Sequence, residues 1–92
     1  MSLQASWERT TGHLLEARSM LAVSDDFLLY FAEYLEHNDL ELALAELEGV
    51  ALESGAPEGF WKKANEAARE MGLLDHVWRY SARISGKTTD GE

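Results

Sequence analysis

Residues 33–54 read EYLEHNDLELALAELEGVALES. Leu40, Ala43, Leu44, Leu47, Val50 and Ala51 recur at three- and four-residue steps, the spacing of one face of an α-helix. The same stretch holds seven Glu or Asp, one His and no Lys or Arg. Asn38 with Glu41 three residues on resembles a capping box, so this helix is expected to begin at Asn38 or Asp39. Ser54-Gly55 marks its end. Gly49, inside it, is expected where a neighbouring helix approaches closely.

The pattern continues on both sides. Upstream, Ser24 followed by Asp25 and Asp26 suits a helix start. Phe27, Leu28, Phe31, Tyr34 and Leu35 then give one amphipathic helix ending near His37 and Asn38. Before it, Leu14, Leu15, Ala17, Arg18 and Leu21 predict a helix over Trp7 to Ala22 with Ser6 as its N-cap or, because Gly12 weakens its first half, one beginning near Thr11. Downstream, Pro57 fits a first helical turn. Phe60, Trp61, Ala64, Ala67, Ala68 and Met71 form the next stripe, Lys62 and Glu66 pair one turn apart, and Gly72 closes the helix. A last helix is expected over Leu73 to Ile84, with Leu74, Val77, Trp78 and Ser81 inward. The fold class is all-α, a compact bundle of four to five short helices. Residues 1–84 are read as one helical domain and 85–92, SGKTTDGE, as a flexible C-terminal tail.

Length and composition agree with one small core. A chain of 92 residues buries only about 60–65% of its unfolded surface. Hydrophobic content of 46% with three Trp argues for a globule rather than a disordered chain. With no Cys, disulfides, thiolate zinc sites and thiol catalysis are excluded. The opening MSLQASWERT lacks the basic and apolar regions of a secretory signal. The longest apolar run, Phe27 to Ala32, is far short of the roughly 20 residues of a membrane span. A cytoplasmic protein with no membrane role is expected.

Charge is the other signal. The net charge is −9, which opposes direct binding of nucleic acid, where Lys and Arg must replace counterions. From Ser19 to Trp61 there is no Lys or Arg, while the window carries ten of the 17 acids. On a continuous second helix Asp26 and Glu33 share a face, with Glu36 a turn beyond. On the third helix Glu41 and Glu48 share one edge, with Leu42 and Leu52 exposed beside it. Leu29 and Tyr30 lie near the acids of the second helix. Such a face is either solvated or an interface, with apolar anchors inside a charged rim. Asp26, Glu33, Glu36, Glu41 and Glu48 are the candidate steering and pairing residues, and Tyr30 and Leu42 the candidate anchors.

No catalytic set emerges. There is no G-x-S-x-G, P-loop or G-x-G-x-x-G. His13, His37 and His76 fall on three different helices. EYLEH, Glu33 to His37, has Glu where the inverted zinc motif H-x-x-E-H has its first His, so neither a metal nor a cofactor is expected, and the chain is read as a non-enzyme. Trp61 and Trp78 are expected in the core, Met20 and Met71 as core fillers, and Trp7 folded back over the bundle.

Taken from Phe31 to Leu73, the chain resembles the small all-helical immunity proteins of bacterial polymorphic toxin systems, the MafI-like group among them. The matching pieces are HNDLELALAEL, ALESGAPEGFW and AAREMGL, covering about half the chain. The resemblance implies a helical protein that binds and neutralises a cognate toxin domain, often a nuclease. It places Asp39 or Glu41 at the acid after the turn and supplies no catalytic residues. The partner expected is a basic protein. The alternative is a non-enzymatic helical adaptor, or a homodimer that self-associates through Tyr30, Leu42 and Leu52.

Overall fold

A computed structural model describes residues 3–84, and the expected tail at 85–92 lies outside them. Among the described residues five α-helices follow one another: α1 Leu3–Ser19, α2 Phe31–Glu36, α3 Leu40–Ser54, α4 Glu58–Met71 and α5 Leu74–Ile84, with a 3₁₀ turn at Asp25–Leu28 before α2. There is no strand among the described residues.

The third and fourth helices bury the stripes their spacing predicts. Leu40, Ala43, Leu44, Leu47 and Ala51 of α3 are buried, as are Phe60, Trp61, Ala64, Ala67 and Ala68 of α4. Val50 and Met71 pack at the core margin. Helix α1 lies mainly against α4. Leu14 and Ala17 contribute to the same core as the small residues of α4, and a ladder of polar contacts flanks the seam. Arg9 meets Glu70 at 3.0 Å, His13 Nδ1 meets Glu66 at 3.2 Å, and Lys63 reaches Glu16 at 3.0 Å. Lys63 also lies 3.4 Å from Glu66, so Glu66 is engaged by Lys63 and His13 rather than by the expected Lys62. At Gly59 a Cβ would come within 3.1 Å of Met20 Sδ, so the glycine admits that thioether.

Several expectations are corrected. Helix α1 begins at Leu3 rather than at Trp7 and runs through Gly12. Ser6 lies inside the helix, its hydroxyl donating to Glu70 Oε1 at 3.2 Å. Trp7 is part of α1 and partly exposed rather than folded back. Gly49 faces open space. Nothing lies within 4 Å of where a Cβ would stand, so no helix approaches it.

The single second helix is in fact two pieces. Leu28 and Phe31 are buried and three residues apart, the period of a 3₁₀ turn, while Phe27, Leu29 and Tyr30 between and before them are exposed. Helix α2 then ends on Asn38, whose φ of 57° is left-handed. The Asn38 N–H donates to Leu35 O at 3.1 Å and the Asp39 N–H to Tyr34 O at 2.8 Å. This is a Schellman closure, so Asn38 terminates α2 instead of capping α3. No side-chain cap bond forms at Asp39, the residue before α3. The same device closes α4: Gly72 has φ 72°, and Gly72 and Leu73 donate to Arg69 O and Ala68 O.

Helix α5 is rotated from its expected phase. Tyr80 is fully buried, and Leu73, Val77 and Ile84 pack against the core. Leu74, Trp78 and Ser81 face outward. Two apolar stripes run along this segment one residue apart. The hydrogen bond that anchors Leu73 to Ala68, and the partner available to Tyr80, select the stripe of Leu73, Val77, Tyr80 and Ile84.

Candidate protein-binding surface

The residues read as a binding face come from three consecutive elements. Asp26 lies in the 3₁₀ turn, Tyr30 directly precedes α2, Glu33 and Glu36 are on α2, and Glu41 and Leu42 are in the first turn of α3. All six of these acids and anchors, Asp26, Tyr30, Glu33, Glu36, Glu41 and Leu42, are exposed. Because the second helix is broken between Leu28 and Phe31, the seven-residue spacing of Asp26 and Glu33 no longer puts them on one helical face. What relates them is packing, since both the 3₁₀ turn and α2 lie against α3.

Glu48 differs from the other acids. Its side chain is only 16% exposed, and Arg79 of α5 grips it, with Nη2 at 3.0 Å from Oε1 and Nε at 3.2 Å from Oε2. The Tyr80 hydroxyl donates to Oε1 at 2.9 Å. Glu48 therefore joins α3 to α5. The hydrogen bond to Glu48 raises the Arg79 guanidinium. Burial, then the bond to Glu48, push the Tyr80 phenol above its ordinary range.

Asp25 is likewise taken, by Arg18 at 2.7 Å. Arg18 also donates to Leu21 O and Val23 O, fastening the end of α1 to the 3₁₀ turn. The eight other acids of the cation-free window have no cation partner among the described residues. Interspersed with them are large exposed apolar side chains: Phe27 at 63%, Leu29 at 67%, Tyr30 at 55% and Leu42 at 49% accessibility. Phe27, expected in the core, thus belongs to the surface. Tyr30 and Tyr34 rings lie 6.3 Å apart, which steadies Tyr30 at the head of α2.

Helix α1 borders this region. Trp7, Glu8, Thr11, Gly12 and Leu15 line an open hollow whose rim includes Asn38. Nothing lies within 4 Å of where a Cβ would stand at Gly12. No short-range pattern links Trp7 to Asn38, so nothing in the order of residues signals this hollow. On the α1–α4 side, the hydrogen bond from Arg9 holds the Glu70 carboxyl below the usual carboxylate value, and Glu16 and Glu66 raise the Lys63 ammonium.

Among the described residues no three His, Cys, Asp or Glu side chains gather as a metal would require. No described helix is long and apolar enough to cross a membrane. The arrangement offers carboxylates and apolar anchors for contact with another molecule. No family model matches the chain, and no curated protein or solved structure matches it.

Proposed function

We propose that this chain is a toxin-neutralising immunity protein that docks a basic partner on the surface formed by the 3₁₀ turn, α2 and the start of α3. One observation carries the reading. Acids without a cation partner among the described residues alternate here with Phe27, Leu29, Tyr30 and Leu42, which the core does not use. Asp26, Glu33, Glu36 and Glu41 steer a positively charged surface into place, and Tyr30 and Leu42 supply anchors. The toxin assignment rests on the resemblance of Phe31 to Leu73 to the immunity proteins. A nuclease domain, whose own ligand is polyanionic, has the required basic surface.

The test is capture from cell extract with the wild-type chain and with the Glu33→Lys/Glu41→Lys variant as baits. A basic protein retained by the wild type, released by salt and lost with the variant supports the surface. Equal retention by both baits sinks it. Expressing the chain alongside the captured protein's toxic domain then tests neutralisation. Absence of protection removes the immunity role while leaving the binding result intact.

A further inference from the structure

The most exposed large apolar side chains lie away from the acidic surface, on α5. Trp78 is 81% accessible and Leu74 is 71%. They stand one turn apart, and exposed Ala82 follows one turn later, so 74, 78 and 82 form a single stripe. The monomer core uses the opposite face of this helix. Leaving a side chain of this size in water forgoes about 1.5–3 kcal/mol of burial.

Helix α3 presents a matching stripe. Ala45, Gly49 and Leu52 are exposed and spaced for one face, and the space over Gly49 is empty for at least 4 Å. The two stripes border one open groove, whose lining includes Leu52 from α3 and Ala82 from α5. Arg79 spans it to Glu48. Position 48 faces 79 and position 52 shares the groove with 82, so the two helices run in the same sense along it.

The margins are of opposite charge at the C-terminal ends of the two helices, while the exposed acid Asp75 stands beside the start of the α5 stripe. Glu46 and Glu53 flank the α3 stripe with no cation partner among the described residues. Beside the α5 stripe, Arg83 makes no ion pair among the described residues. Its guanidinium lies 4.9 Å from the centre of the Trp61 ring.

We propose that a second copy of this chain covers this face. A two-fold axis running along the groove lays α3 of each copy over α5 of the other, in the same sense and at the same height. Because 79 lies level with 48, Trp78 of one copy fills the notch at Ala45 and Gly49 of its mate, and Arg83 meets Glu53 across the margin. Because the same patch serves both copies, the association closes at two rather than growing into a fibre. The net charge of −9 opposes approach at long range, but at about 0.1 M salt the screening length is ~10 Å, so contacts at the groove decide. This surface is independent of the one assigned to the basic partner.

Sedimentation equilibrium over a range of protein concentrations tests the inference. The wild type is expected to reach twice the monomer mass. Trp78→Glu should raise the dimer dissociation constant by about tenfold or more while helical circular dichroism stays unchanged, since so exposed a residue does not hold the monomer together. Gly49→Gln should stabilise the monomer, Gln being the better helix former, yet weaken the dimer by filling the notch. Glu33→Lys/Glu41→Lys should leave the dimer intact, which separates this result from the test of the acidic surface. A wild type that stays monomeric throughout, leaving the face to a different protein, overturns the proposal. So does a dimer indifferent to both Trp78→Glu and Gly49→Gln.

Discussion

Tyr80 donates its phenolic hydrogen to Glu48 Oε1 at 2.9 Å, across 32 positions of sequence. With Arg79 on the same carboxylate, this joins α3 to α5 where their backbones do not pack closely. Tyr80→Phe removes one hydrogen bond and keeps the shape, so it should cost about 0.5–1.5 kcal/mol. Glu48→Leu leaves the buried hydroxyl without its acceptor and should cost about 1–3 kcal/mol. The double variant should lose less than the two singles together. Urea unfolding at constant m-value checks all three.

The same hydroxyl sets an alkaline limit. The unfolded chain releases the Tyr80 proton near pH 10, whereas burial and Glu48 make the folded chain hold it to higher pH. Its contribution is therefore complete below about pH 10 and is lost as pH rises toward the folded value. The raised Lys63 ammonium acts with the same sign. Unfolding free energy followed upward from about pH 9 should fall, and Tyr80→Phe should remove part of the slope. An unchanged slope in that variant would show that the phenol is not the group responsible.

The split of the second helix makes neighbouring residues unequal. Leu28 is buried and Phe27 is largely exposed. Leu28→Ala should cost about 2–5 kcal/mol, and Phe27→Ser should stay within about 0.5 kcal/mol of wild type. Thermal or urea unfolding of the pair distinguishes the broken arrangement from one in which both residues are core.

Two glycines should respond with opposite signs. Gly12 lies inside α1 with open space around it, so Gly12→Ala should stabilise by about 0.5–1 kcal/mol. Gly72 closes α4 at φ 72°, where a side chain is strained, so Gly72→Ala should destabilise by about 1–2 kcal/mol. Melting temperatures of the two variants measured side by side provide the check.

Asn38 gives a related outcome. Its left-handed backbone at φ 57° suits Asn or Gly. Asn38→Gly should be tolerated. Asn38→Val places a β-branched side chain where it clashes, and should lower the melting temperature and loosen the α2–α3 junction, seen as faster amide exchange at Asp39.

The stripes of α3 and α4 were legible because each offers a single apolar phase, ending in Gly55 or Gly72. Helix α5 offers two phases, and its rotation depends on Leu73 reaching Ala68 and Tyr80 reaching Glu48, neither of which a local pattern contains. Asn38 carries both a capping-box spacing and a tolerance for left-handed backbone, and only the hydrogen bonds to Tyr34 and Leu35 decide between them. The candidate surface was legible in its charge and in Tyr30 and Leu42. Glu48 was not, because its cation is 31 residues away and a count of charges within a window cannot see Arg79. Phe27 and Trp78 were misplaced for one reason: spacing shows that an apolar residue sits on a helix, while its exposure depends on how that helix is turned.

The seam between α1 and α4 also bears on the order of events during synthesis. The face of α1 that carries Leu14 and Ala17 finds its main cover only when Met71 has been made. At about 5–20 residues per second, the nascent chain goes roughly 3–10 s from Ser19 to Met71 with that face bare. Helices α2 and α3 can meet in the interval, being adjacent in sequence. Of the described helices α1 is thus the one that waits longest for its place, and a ribosome halted before α4 would hold out an uncovered apolar strip for chaperones to grasp.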